Sequence, residues 1–404
     1  MAAAEPAPFP VARFLGTAQA DSALSSTSGG GWSGVPYLRD AEFRVRNEAF
    51  DITRQRYSVQ LSPKGFGEEG ASRRLETALN GRYEASRAAS RDAALKERHQ
   101  LVVELTAARV LGALYGDLAD VEDERIRVLE RRNVSDAFDF GDILRAEGAA
   151  ERHRERCDES RAEEGLLRDR ARALSGDSGL ATFDTSGLIG VDGVEAWALA
   201  ASAPDTSGPR LRAARRDAEA ADAQYRLAVA ENRRFLSFVE LGYDYGTRRK
   251  EADDRAAGKD YDLDKAYVIE VGFRIPWGGT DVLRRRVESE GRRAAVRRVQ
   301  EDEAMDLREA VTTIRTLAAR YRAVKTRETE LDASARLRRY ASLSSADPVI
   351  VLTLRQAVLE SALRREEARF DMLREYLKAA AIAGEFSRRP ARNMLSERME
   401  ALVE

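Results

Sequence analysis

Apolar residues recur every three or four positions over most of this chain, and they alternate with polar residues in only a few short stretches. The longest helical pattern runs from Gly67 to about Arg131, roughly 65 positions or about 95 Å of helix. It carries two stripes, Val103/Val110/Leu114/Val121/Val128 and Leu101/Leu105/Ala108/Tyr115, so this helix needs neighbours on two sides. A second long pattern after Pro276 carries Leu307, Val311, Ile314, Ala318 and Tyr321. Its return partner repeats near every 3.5 residues at Leu352, Leu359, Leu363, Phe370, Leu373, Leu377 and Ala380. Gly112 and Gly116 each weaken the first helix by about 1 kcal/mol relative to Ala but allow a neighbour to approach closely.

Four stretches alternate with a period of two. The first pair is Glu42–Phe50 and Arg54–Ser62, with Phe43/Val45 and Tyr57/Val59/Leu61 as apolar sets among several arginines. In the second pair, Val239, Leu241, Tyr243 and Tyr245 share one face and Glu240, Gly242, Asp244 and Gly246 the other. Tyr267, Ile269, Val271, Phe273 and Ile275 likewise back onto Glu270, Gly272 and Arg274. An apolar face backed by charge fits a barrel with lipid outside and water inside, and it fits equally a sheet covering a soluble core. Tyr243, Tyr245, Tyr267 and Trp277 near the strand ends favour the barrel, as an interfacial aromatic belt. On that reading Val239, Leu241, Tyr243, Tyr245, Tyr267, Ile269, Val271, Phe273 and Ile275 face lipid, while Glu240, Asp244, Glu270 and Arg274 face the lumen. Four strands cannot close a barrel, so closure demands further copies, and three would supply about twelve strands.

The chain also repeats itself. The β-like segments Arg56–Pro63 and Tyr267–Pro276 each lead through Gly into a long helix that breaks and resumes around Leu144-Arg145 and Leu354-Arg355. The proline-to-leucine separations are 81 and 78 residues. The organisation expected is an extended N-terminal segment (1–40), a first repeat (41–174), an irregular connector (175–209), a second repeat (210–384) and a flexible tail (385–404). The connector is rich in Gly, Ser and Asp, with one short helix over Val194–Ala201, and a helix with Ala214, Ala218, Ala221, Tyr225 and Ala228 on one face follows it. The linker between the last two strands, Thr247 to Lys265, is highly charged.

Composition narrows the reading. Charged residues make up 34% and aromatics 7% with only 10 prolines, a profile of long helices rather than compact globules. A net charge of −2 gives no reason to expect nucleic acid. The single cysteine, Cys157, excludes an internal disulfide. No run of 18 apolar residues supplies a membrane-spanning helix. Met1 to Pro10 lacks a basic start and apolar core, which leaves a cytosolic chain or one whose leader has been removed and a start methionine added.

Little else suggests chemistry. His153 and Cys157 lie one turn apart, but two ligands do not make a zinc site. Asp260, Asp262 and Asp264 begin like a calcium loop, yet Lys265 and Val271 stand where Gly and Glu are required. With two histidines and no phosphate-binding glycine loop, neither an enzyme, a cofactor nor a resident metal is expected.

The duplicated strand–strand–helix–helix order, with Tyr267–Trp277 running into Gly278-Gly279, resembles the TolC family of outer-membrane efflux proteins. The helix breaks Asn133–Leu144 and Ser342–Pro348 resemble that family's turns at the periplasmic tip, and the likeness covers about residues 40–384. The resemblance implies a mainly α fold with a small β part: very long antiparallel helices form a tunnel, and three chains share one twelve-stranded barrel. It implies a homotrimer in outer-membrane lipid whose helices extend into the periplasm. Such a trimer is the exit duct of a tripartite efflux pump or a type I secretion system, working with a periplasmic adaptor and an inner-membrane transporter. Asp136, Asp139, Asp142, Arg145, Ser344, Ser345, Asp347 and Arg355 become candidates for the tip aperture or adaptor contact. Helix capping competes for Asp139 and Asp347, and pairing with neighbouring helices for Arg145 and Arg355. Three departures are visible. The helix expected before the first strand is displaced by Gly/Ser-rich 22–36, the first hairpin is short, and Leu352 stands at the position aligned with Asp142. The competing reading is a coiled-coil scaffold without a channel, at the cell surface or in the periplasm.

Overall fold

In a computed structural model of the chain, Pro63 ends a strand and Gly67, at φ +80°, turns the backbone into one helix of 65 residues. The structure describes residues 8–20, 37–47, 54–132, 140–185, 187–201, 208–249, 261–274, 279–331, 339, 342 and 347–402. In chain order the elements are α1 (Val11–Ala20), β1 (Leu38–Asn47), β2 (Arg54–Pro63), α2 (Glu68–Arg132), α3 (Phe140–Ser175), α4 (Val191–Ala201) and α5 (Pro209–Asn232). Then come β3 (Leu236–Arg249), β4 (Tyr261–Phe273), α6 (Thr280–Leu331), α7 (Pro348–Ile382) and a 3-10 turn at Glu385–Ser387. The chain is mainly helical with one small antiparallel sheet, as the periodicity predicts.

Each long helix begins on recognisable chemistry. Glu68 and Glu69 occupy the first turn of α2, where acids suit the positive end of the helix dipole, and Glu68 accepts the Gly65 N–H at 2.6 Å. Pro209 opens α5, and the Glu303 carboxylate of α6 accepts the Leu211 N–H in that first turn. Gly208 is required there, because a Cβ would lie 2.8 Å from the backbone carbonyl oxygen of Ile382. Pro348 opens α7 behind Asp347, whose side chain accepts the Val349 N–H at 2.9 Å.

The described residues divide into two units. One comprises Met1–Leu24, Arg87–Arg212 and Val299–Glu404; the other Ser25–Ser86 and Ala213–Arg298. The first unit holds the apolar core. The stripes meet there: Leu101, Val102 and Leu105 of α2, Ala310, Ile314 and Ala318 of α6, and Phe370, Leu373, Tyr376 and Leu377 of α7 are all buried. Trp197 of α4 meets Tyr376 edge-on at 4.9 Å. Burial of each large side chain contributes about 1.5–3 kcal/mol. Gly112 and Gly116 bring α2 against α3, since a Cβ at these positions would lie 3.1 Å from the Ser160 Cβ and 3.6 Å from the Cys157 Sγ.

Three expectations need correction. Residues 11–20, expected to be extended, form α1; Phe14 and Leu15 are fully buried in the apolar core, the Phe14 ring 5.0 Å from that of Phe183, and Arg98 donates to the Phe14 carbonyl at 3.0 Å. The tail expected to be flexible is packed: Phe386, Ala391, Met394, Leu395 and Leu402 are buried, and the Ile189 N–H donates to the Leu395 carbonyl at 2.7 Å. Its apolar residues follow turns rather than a period of two or 3.6, so periodicity does not reveal them. Finally, β3 and β4 extend into the stretch expected as a loop, reaching Arg249 and starting again at Tyr261. Asp262 and Asp264 therefore belong to a strand, not a calcium loop, while residues 250–260 lie outside the described residues.

The second unit holds the sheet, in the order β1-β2-β3-β4 with every pair antiparallel. Helix α5 packs there on alanines, with Ala218, Ala220, Ala221, Ala223 and Ala228 buried. Arg82 of α2 reaches Asp217 of α5 at 2.6 Å, and Arg293 of α6 reaches Asp222 of α5 at 2.6 Å.

Candidate functional site

Strand register converts the alternation into layers across the sheet. Val59 pairs with Phe43 and Leu241, and Leu241 with Ile269; Tyr57 pairs with Val45 and Tyr243, and Tyr243 with Tyr267. A third row is Ala41, Leu61, Val239 and Val271. All these residues stand on one face, since side chains alternate strictly along each strand. That face is open: Tyr267 is 86% and Phe43 66% exposed, with Leu241, Ile269 and Val271 also exposed. The Tyr243 and Tyr267 rings lie 5.2 Å apart, and Phe235 and Phe273 do the same at one end of the sheet. A contiguous apolar patch of this kind is rare on a monomeric soluble protein.

The reverse face is charged. Glu42, Gln60, Glu240 and Glu270 form one row, and Arg46, Arg56, Asp244 and Ala266 another. Arg56 lies 3.8 Å from Glu240, 3.5 Å from Asp244 and 3.8 Å from Glu270, and Arg44 pairs with Glu42 at 2.6 Å. Glycines give the arginine room, since a Cβ on Gly242 would lie 3.4 Å from Arg56 Nε. Arg274 is exposed, and its backbone N–H closes the sheet end on the Phe235 carbonyl at 2.8 Å.

The sheet therefore brings together, on opposite faces, the two sets singled out from sequence. Tyr245 keeps its register position opposite Gln55 and Lys265, but its side chain, Ile275 and Trp277 lie outside the described residues. Strands of 10, 10, 14 and 13 residues each meet the roughly 9–11 needed to cross a bilayer at a tilt, the short first hairpin included. Among the described residues no helix is long and apolar enough to cross a membrane.

At the helix breaks, Asp136, Asp139, Ser344 and Ser345 lie outside the described residues. Asp142 pairs with Arg145 of its own helix at 2.6 Å, and Arg145 Nε donates to the Gly141 carbonyl. Asp347 caps α7, and Arg355 crosses from α7 to Glu124 of α2 at 3.2 Å. The first two contacts stay within their own helix, and the third joins α7 to α2. His153 and Cys157 do not converge on a metal: Cys157 is buried against Gly116 and His153 stacks on Tyr115. Among the described residues no cluster of three possible ligands occurs.

Two buried groups escaped sequence reasoning. Glu122 of α2 is 1% exposed, and among the described residues neither carboxylate oxygen meets a hydrogen-bond donor. Burial pushes its pKa up against Arg125, whose Nη1 lies 3.8 Å away, and Glu360 pushes it further. His99 is fully buried, with Nδ1 2.8 Å from the Leu95 carbonyl and Nε2 accepting the Met394 N–H at 3.2 Å; burial lowers its pKa to about 4. Helical spacing places both residues on an inner face, but nothing local marks partners more than 200 residues away.

No protein-family profile matches the sequence, and no curated protein matches it. Solved structures do. The outer membrane protein VceC of Vibrio cholerae aligns over 93% of this chain and 92% of its own, with a TM-score of 0.59 at 15% identity. The outer membrane channel CmeC of Campylobacter jejuni aligns over 93% and 83%, TM-score 0.58, at 12% identity. The open-state outer membrane channel MtrE of Neisseria gonorrhoeae aligns over 93% and 87%, TM-score 0.55, at 17% identity. At such identities the likeness establishes the fold: duplicated long helices with a small sheet.

Proposed function

From a chain that carries the TolC-like outer-membrane channel fold, we propose a passive exit duct spanning the outer membrane. The observation that carries this reading is the amphipathic sheet, with an exposed apolar face, a charged reverse and, among the described residues, unpaired edges at β1 and β4. Closing those edges against further copies satisfies their backbone groups, and lipid covers the apolar face. Three copies give about twelve strands, a barrel wide enough for a water-filled lumen lined by Glu240, Asp244, Glu270 and Arg274. The repeats 41–174 and 210–384, joined by the connector 175–209, supply the helices that continue the duct into the periplasm. The segment running to the helix breaks, with Asp142, Arg145, Asp347 and Arg355, is the end offered to a periplasmic adaptor. An inner-membrane transporter supplies the energy for efflux or type I secretion, and no reaction is catalysed by this chain.

The test is reconstitution. The full chain, purified in detergent and inserted into liposomes, is expected to have the mass of three chains, to precipitate when detergent is withdrawn, and to conduct ions in planar bilayers. Images should show a hollow tapered cylinder. A chain that stays monodisperse without detergent or lipid is a scaffold rather than a channel, and the reading fails.

A further inference from the structure

Glu122 of α2 belongs neither to the sheet nor to a helix cap, yet it is the most deeply buried acid among the described residues. A buried carboxylate with no donor on either oxygen is uncommon in folded proteins and calls for a physical reason. It lies where three helices meet. On α2, Arg125 stands 3.8 Å away, but its guanidinium donates to Gln356 of α7 at 3.4 Å. Gln356 in turn donates to Glu360 at 3.0 Å, and Glu360 lies 3.6 Å from Arg364 of its own helix. From α3, Arg152 attracts the Glu122 charge, and from α7, Glu360 repels it. His153 of α3 faces the same Glu360, and burial holds its pKa below the ordinary 6.5. Beside this group, Asp123 of α2 pairs with Arg154 of α3.

Helix α7 is anchored unevenly at this place. From Ala368 to Ala380 it buries Phe370, Met372, Leu373, Tyr376 and Leu377 in the apolar core, whereas between Pro348 and Glu367 only Leu352 is buried. Over that outer stretch polar pairs join it to α2: Arg355 with Glu124 at 3.2 Å, Gln356 with Arg125, and Glu367 with Tyr115 at 3.2 Å. A seam of polar pairs opens more readily than an apolar core.

We infer that Glu122 is a proton-binding site that sets how tightly the Pro348 end of α7 is clasped to α2 and α3. With a proton bound, the buried group is neutral and presents no like charge to Glu360. Without it, a charge that has no donor is confined beside another carboxylate, and parting of α7 from α2 lets water reach it. Burial, and then Glu360, raise the folded pKa above the ordinary 4.5. The clasp is therefore complete below pH 4.5 and weakens as pH rises through the folded pKa. All of these groups lie within one chain, so the clasp does not depend on the channel reading.

Hydrogen–deuterium exchange of the full chain in detergent, corrected for intrinsic rates, tests this at pH 5 and 7.5. Amides of residues 351–362 are expected to open more often at the higher pH, by at most about tenfold per pH unit, the limit for one proton. In Glu122→Gln that pH difference should disappear, and opening at pH 7.5 should fall to the wild-type level at pH 5. Infrared spectra should show a protonated-carboxyl band in the wild type that fades between pH 5 and 7.5 and is missing from the variant. Glu122→Met serves if the first variant packs poorly, since neither replacement titrates. Wild-type opening that does not change with pH, or a pH difference that survives undiminished in the variants, overturns the proton site.

Discussion

Lowering the pH from 7 to 5 is expected to loosen residues 391–402, because the contact that holds them requires a neutral imidazole. The Met394 N–H points at His99 Nε2, so that nitrogen must accept and the proton resides on Nδ1, which donates to Leu95. The same residue is held on its carbonyl side by the Tyr376 hydroxyl, which donates to the Met394 carbonyl at 3.0 Å, and the Phe386 ring meets the imidazole edge-on at 5.0 Å. A proton on Nε2 would set donor against donor in a fully buried site. The folded pKa of about 4 lies below the ordinary 6.5, so stability is full above 6.5 and is lost as pH falls toward 4. The whole loss is about 3 kcal/mol at roughly 1.4 kcal/mol per pH unit, with about 2 kcal/mol of it reached by pH 5. Hydrogen–deuterium exchange at Met394 and Leu395, corrected for intrinsic rates, should show opening about 20-fold more frequent at pH 5. In His99→Leu the Met394 N–H loses its acceptor, which costs about 1–3 kcal/mol, so the segment opens more at pH 7 but hardly more at pH 5. An equal pH slope in the variant would assign the effect to other groups and refute the role of His99.

Glu122→Met removes a buried carboxylate that has Arg125 at 3.8 Å but no hydrogen-bond donor among the described residues, and should raise the unfolding midpoint at pH 7, a gain of about 1–3 kcal/mol. Because the folded carboxyl titrates above its ordinary 4.5, the native charge weakens the fold as pH rises from there, so the gain should vanish below about pH 4.5. Gly116→Ala meets Cys157 at ordinary contact distance and should add about 1 kcal/mol through helix propensity, whereas Gly116→Leu overpacks the α2–α3 contact and loses about 1–3 kcal/mol. Denaturant midpoints followed by circular dichroism decide both signs. Ile269→Arg, on the exposed apolar face, should cost about 2–4 kcal/mol of barrel stability and reduce insertion into liposomes, while Glu270→Gln, one residue on and on the other face, should insert normally.

The long helices were readable because their information is local. A stripe such as Leu307, Val311, Ile314 and Ala318 states its own period, and all four residues are buried on one face. The cap at Asp347 and the proline behind it are equally local, since the hydrogen bond spans two residues. Alternation also separated Leu241, Tyr243, Ile269 and Val271 from Glu240, Asp244 and Glu270, because side chains in a strand must take opposite faces.

Other features depended on partners distant in the chain. Alternation alone does not distinguish a sheet that covers a core from one that offers its apolar face outward. Only the folded unit leaves Tyr267 and Phe43 exposed while α5 packs elsewhere. The C-terminal residues carry no period, and their order comes from His99, Tyr376 and Ile189. Helix α1 is fixed in the same way, by Arg98 and by the Phe9–Thr182 hydrogen bond. Sequence by itself determined the elements and their two-sided patterning, since backbone geometry dictates both from neighbouring residues. Tertiary structure decided which faces remain open and which termini are ordered, because burial depends on chain segments that meet only after folding.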